Sequence, residues 1–189
     1  MPKTQKELQD ELNAVNRVLK EMQTESDRAV AVLVGAEVDN RLLALLEAFL
    51  FPPQKKSTRL LEQDGPLGTF SSKIEILYRV GLIPPEFHHD LHTIRAIRNE
   101  FAHKGVGLSF NSDRVRDLCR NLIAAESMRQ DMFSKSEDMR AKNAMDSARD
   151  RFMNSAMMLL ANLTLLRFQV CTSPQHWRGF FRDRKQPEQ

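Results

Sequence analysis

The side chains best equipped for chemistry crowd into residues 85–103, PEFHHDLHTIRAIRNEFAH. Placed at 100° steps around a helix, they separate onto two faces. One face holds Phe87, Leu91, Ile94 and Phe101, with Arg98 in the middle of the apolar stripe. The other holds His88, His92, Arg95, Asn99 and His103. A guanidinium inside an apolar stripe needs a carboxylate, because an unpaired buried charge is very costly. Glu37, Asp39 and Asp64 are the acids expected to supply it, in an ion pair that fixes helix register. Arg98 also opens an Arg-x4-His pattern that ends at His103. In that role the arginine would stabilise phosphate charge. The histidine, near a helix C-terminus that favours its charged form, would do acid–base work. His88 and His92 stand at i,i+4, a chelating spacing, but no Glu lies between them and no third ligand is evident, so no metal is expected.

Other chemistry is thinly represented. There is no Ser/His/Asp order, glycine-rich phosphate loop or paired-acid motif, and no cofactor is expected. Cys119 and Cys171 form no ligand pattern and read as free thiols of a reducing cytoplasm. The polar opening MPKTQKELQD predicts no secretory leader, and no apolar run approaches the roughly 20 residues of a membrane span. Net charge is +3, and the segment RGFFRDRK (178–185) carries that much by itself, leaving the rest near neutral. A folded DNA-binding face normally shows a broad basic excess. The segment 69–103 has the outline of a helix-turn-helix, yet its second helix opens with Glu86, His88, His89 and Asp90. Acids there would meet phosphates unfavourably.

The elements that must position these groups are helices. Seven glycines, one tyrosine and one tryptophan in 189 residues favour long helices over hairpins. Leu8, Leu12, Val15, Leu19 and Met22 make a narrow stripe on a first helix. Residues 26–50 make the strongest helix, capped by Ser26 or Asp27, with Val30, Val34, Val38, Leu42, Leu45 and Phe49 along one face and Glu37–Arg41 paired on the polar side. Pro52-Pro53 ends it. Asp64-Gly65-Pro66-Leu67-Gly68 predicts a specific turn with special backbone angles. A short helix over about 69–80 stops at Gly81, and Pro84-Pro85 opens the next. Asn111 or Ser112 caps a further helix whose Val115, Leu118, Cys119, Leu122 and Ile123 face inward. Residues 126–150 are polar and compatible with helix. Phe152, Ala156, Leu159, Leu163, Leu166 and Val170 then repeat with heptad spacing, a seam for the body or for a second copy in a homodimer.

These elements predict an all-α protein, one helical bundle of about six or seven helices over residues 1–172, with a basic aromatic C-terminal tail over 173–189. Trp177, Arg178, Phe181 and Arg182 in that tail are the expected binding residues, suited to stacking on a partner or meeting an acidic surface.

Two resemblances bear on function. The Arg98-x4-His103 pattern resembles the signature of HEPN-type ribonucleases, small helical domains that are often dimeric. The stretch DGPLGTFSSKIEILYRVGLI (64–83), followed by EFHHDLHTIRAIRNEFAH (86–103), resembles the mannitol operon repressor family of bacterial proteins. That resemblance is firmest over about 60–110 and extends from the helix at 26–50 to about 125. It implies a cytoplasmic helical regulator that lowers expression of genes for hexitol uptake and use, without a familiar DNA-reading motif. The expected function is therefore negative regulation of transcription through protein–protein contact, with DNA contact left to clustered basic residues. A HEPN-like ribonuclease using Arg98 and His103 is the alternative.

Overall fold

The computed structural model describes residues 4–50, 59–104, 107–123 and 147–172. Within them lie six helices: α1 (Gln5–Met22), α2 (Asp27–Phe49), α3 (Phe70–Arg79), α4 (Pro85–His103), α5 (Asp113–Arg120) and α6 (Ala148–Thr172). The polar stretch 124–146 and the tail from 173 onward, with Trp177, Arg178, Phe181 and Arg182, lie outside the described residues.

Local chemistry sets the boundaries. Thr4 and Glu7 form a reciprocal capping box at the start of α1. The Ser26 hydroxyl accepts from the Ala29 amide, and that of Thr69 from the Ser72 amide, so α2 and α3 each begin with an orphan donor satisfied. Gly81, at φ +75°, closes α3: its amide donates to the Tyr78 carbonyl and that of Leu82 to the Leu77 carbonyl. This is the doubly bonded helix stop that only glycine enters without strain.

The expected turn at 64–68 is present, for a different physical reason. Neither glycine adopts positive φ. Instead, a Cβ on Gly65 would lie 1.7 Å from the Arg59 carbonyl oxygen, and one on Gly68 would lie 2.0 Å from that of Glu62. The backbone folds onto itself, held by a bond from the Leu67 amide to the Leu60 carbonyl.

α2 is central, packed against α6 and α4 and also touching α3 and α1. Val30, Val34, Val38, Leu42, Leu45 and Leu46 are fully buried on it. The heptad seam on α6 packs inside the chain: Phe152, Ala156, Leu159 and Leu163 belong to the same core as α2. That burial removes the seam as a face for a second copy. α6 is long and apolar enough by composition to cross a membrane; Phe152, Ala156, Leu159, Leu160 and Leu163 on it are buried in this core, while Met157 and Leu165 are exposed. Phe101, Phe110 and Phe152 join α4, the following loop and α6, with successive ring centroids 5.1 Å apart.

Polar contacts register the helices. Arg41 on α2 donates to Glu37 at 2.9 Å and lies 3.7 Å from Glu11 of α1, which also takes Arg167 of α6 at 3.0 Å. Arg149 of α6 pairs with Asp27 and donates to the carbonyls of Met22, Gln23 and Glu25, satisfying acceptors at the end of α1. Buried Asp90 accepts from the Ile123 amide, fixing the chain after α5. Ile123 itself is exposed, contrary to its expected inward place, because its backbone is what docks there.

Candidate functional site

α4 is turned differently from the sequence expectation. Asp90, Leu91, Thr93, Ile94, Ile97 and Phe101 are buried, so the core-facing arc centres near Ile97, with Phe87 only partly covered. The helix packs against α2, α3, α5 and α6, and contact on several sides widens its buried arc. Arg98, one position beyond Ile97, falls at the edge of that arc.

There it lies across α2 at Gly35. A Cβ on Gly35 would stand 2.6 Å from Arg98 Cγ, so the glycine makes room for the arginine stem. The guanidinium reaches a cleft of about 640 Å³ between α2, α3 and α4, lined by Gly35, Asp39, Lys73, Arg95, Arg98 and Asn99 among others.

The expected ion pair with Arg98 is not formed. Glu37 is held by Arg41, Asp64 by Arg59 at 3.1 Å, and Asp39 by Lys73 at 2.8 Å. Lys73 is almost wholly buried and stands closer to Asp39, leaving Arg98 to donate to the neighbouring Asn99 side chain at 3.0 Å. Arg95 presents a buried Nε without a hydrogen-bond partner among the described residues. The cleft thus has two arginines with no carboxylate partner among the described residues, and beside them a neutralised Lys73–Asp39 pair. Such a surface suits a carboxylate or phosphate.

His103 does not line this cleft; it lies exposed in the last turn of α4. Five residues of helix separate it from Arg98 by about 140°. Glu100, between them, is tied to Lys104 and Arg114, which hold its carboxyl below the usual range. Within one chain, the Arg-x4-His residues do not share a groove.

A second cluster lies on the other flank of α4. Glu75 of α3 places one carboxylate oxygen 3.1 Å from His88 Nε2 and 2.9 Å from His92 Nε2. Hydrogen bonds from both imidazoles hold the Glu75 carboxyl below its ordinary value. Burial lowers the pKa of His92, with the Glu75 hydrogen bond working the other way and burial prevailing. Sequence spacing missed Glu75, because it comes from the preceding helix, and no local pattern ties it to the two histidines. Tyr78 stacks on His88 at a centroid distance of 4.3 Å.

Residues 57–168, more than half of the chain, match the family model described as mannitol repressor. The chain belongs to the mannitol repressor family. The family match covers α3 to most of α6, including the cleft residues contributed by α3 and α4 and the whole Glu75–His88–His92 cluster. The mannitol operon repressors of Escherichia coli K12 and of E. coli O6:H1 are each 26% identical over 105 residues, 53% of this chain and 54% of the relative. The chain therefore spans about half the length of the curated relatives it matches. The X-ray structure of the MtlR-HPr complex from E. coli contains a similar chain, with a TM-score of 0.57 and 21% identity over 79% of this chain and 98% of that one. At that identity the mannitol repressor fold is what the two share.

Proposed function

We propose that this chain is a cytoplasmic negative regulator of transcription in the mannitol repressor family, working by protein–protein contact and not by catalysis. The observation that carries the proposal is the family match over residues 57–168. A relative of the same fold has been solved in complex with HPr, and a protein of the HPr kind is the partner inferred for this chain.

The first turns of α4 favour this reading over base recognition by a helix-turn-helix. His88 is engaged by Glu75, His89 Nε2 meets the Asn121 carbonyl at 2.9 Å, and Asp90 is buried. Side chains so occupied are not available to base edges. The basic aromatic tail, with Trp177, Arg178, Phe181 and Arg182, is assigned as a second contact element on its composition.

Deleting the gene should raise mannitol-operon transcripts in cells grown without mannitol, and restoring it should lower them. Unchanged transcripts would remove the regulatory reading. Calorimetry with HPr from the same bacterium tests the route: saturable binding supports protein contact. No binding to HPr, together with salt-sensitive binding of the purified chain to operator DNA, would replace it with direct DNA contact.

A further inference from the structure

We propose that Glu75, His88 and His92 form a binding site for a divalent transition metal of the zinc type, clamping α3 to α4. Each residue offers one donor atom, and the three donors lie within 4.8 Å of one another. Both imidazoles direct Nε2 at the same Glu75 oxygen, at 3.1 and 2.9 Å. Around tetrahedral zinc, with ligand bonds of about 2.0–2.1 Å, donor atoms stand about 3.3 Å apart. The two spacings to Glu75 need to open by only a few tenths of an ångström, and the two imidazole nitrogens, within 4.8 Å of each other, need to settle at the same separation.

The donor set is chemically apt. Two imidazoles and a carboxylate form one of the common three-ligand zinc sets, with a fourth position left for water. The i,i+4 spacing puts both rings on one face of α4, and Glu75 arrives from the neighbouring helix. Ring orientation is already set: His88 is held against Tyr78, and His92 meets its edge at 4.7 Å. Both imidazoles are about three-quarters buried, so little freedom remains to be lost on binding.

An ordinary pair of hydrogen bonds to one carboxylate is the competing account, and Arg95, whose charge is felt at His92, opposes a cation. The Glu75 carboxylate offsets that charge. Two imidazoles on one carboxylate oxygen satisfy a hydrogen-bond network as well, so what favours coordination is the donor set, ligands drawn from two helices and rings already fixed by packing. None of the three residues lines the cleft at Arg98. With Glu75 on α3 and both histidines on α4, the ion would tie the two helices together.

The test uses the full chain, stripped with chelator and desalted, titrated with zinc chloride by calorimetry. One ion per chain and a higher melting temperature with zinc are expected. Co2+ in place of zinc should give the strong visible absorption of a four-coordinate site. Glu75→Gln and His92→Ala should each weaken binding by more than about tenfold. His89→Ala and His103→Ala, at exposed histidines elsewhere, should leave it unchanged. Circular dichroism of the metal-free variants separates lost binding from lost fold; Glu75 is half-exposed, so its glutamine variant tests the site without emptying the core. Absence of saturable binding would overturn the proposal. Equal binding by Glu75→Gln, His92→Ala and the parent would overturn it too, as adventitious metal on scattered histidines.

Discussion

Replacing Gly35 by alanine tests the geometry that positions Arg98. The new methyl group would lie 2.6 Å from Arg98 Cγ and 2.9 Å from Arg98 Cβ. Carbon atoms in contact settle at about 3.5–4.0 Å. The Cγ can swing aside with a change of rotamer, but Cβ is fixed to the α4 backbone. The helices must therefore part by about 0.6 Å or more where they cross, and well-packed interiors resist such shifts. Overpacking of this kind costs about 1–3 kcal/mol. Removing a glycine from mid-helix returns about 0.5–1 kcal/mol. The difference spans about 0–2.5 kcal/mol, and its middle, a net loss of about 1–1.5 kcal/mol, is the expected outcome. With a urea slope of about 2 kcal/mol/M, the unfolding midpoint should fall by about 0.5–0.75 M. Urea titration followed by circular dichroism reads this directly. Arg98→Ala is the companion variant. With no carboxylate left orphaned, it should cost about 1 kcal/mol or less, mainly from lost stem packing. A Gly35→Ala protein as stable as the parent would refute the close approach. A loss of about 3 kcal/mol or more for Arg98→Ala would restore the buried ion pair.

Two further outcomes follow from buried groups. Asp39→Ala leaves the Lys73 ammonium, 5% exposed, without its acid, and should cost about 2–3 kcal/mol, moderated because Asp39 is 31% exposed. Lys73→Met removes the charge and keeps the volume, so it should cost about 1 kcal/mol or less; equal losses in urea titrations would contradict the pairing. Burial pushes the Cys119 thiol from 9.0 up to about 12, with Arg151 opposing weakly. Between those values the unfolded chain has released a proton that the folded chain retains. Stability from this group is therefore intact below pH 9 and falls as pH rises toward 12, by up to about 1.4 kcal/mol per unit. Comparing the parent with Cys119→Ala at pH 8 and pH 10.5 isolates the effect: the parent's relative stability should drop at the higher pH, and a constant difference would count against thiol burial.

Helix existence was readable along the chain because it depends on neighbours in sequence. Ser26, Pro85 and Gly81 mark ends by groups within a few residues, and the 3.6-residue spacing of Val30, Val34, Val38 and Leu42 marks a face. The stretch from 64 to 103 also carried the family resemblance, which the family match bears out. The same local logic failed at Arg98. Spacing assigned it to the core by counting from Leu91 and Ile94, but how far a buried arc extends depends on how many helices surround it. Four neighbours of α4 drew Asp90, Thr93 and Ile97 inside and left Arg98 at the cleft.

Charge pairing was likewise undecidable in one dimension. Glu37, Asp39 and Asp64 were each plausible acids for Arg98, yet Arg41, Lys73 and Arg59 stand nearer to them. Coulomb attraction falls with distance and with solvent exposure, so the partner is chosen by the packing that brings charges together. The cluster of Glu75 with His88 and His92 has the same origin. The i,i+4 pair is written in α4 alone, whereas the carboxylate that completes it comes from α3, thirteen residues before His88, and reaches it only when the turn at Gly81 folds one helix against the other.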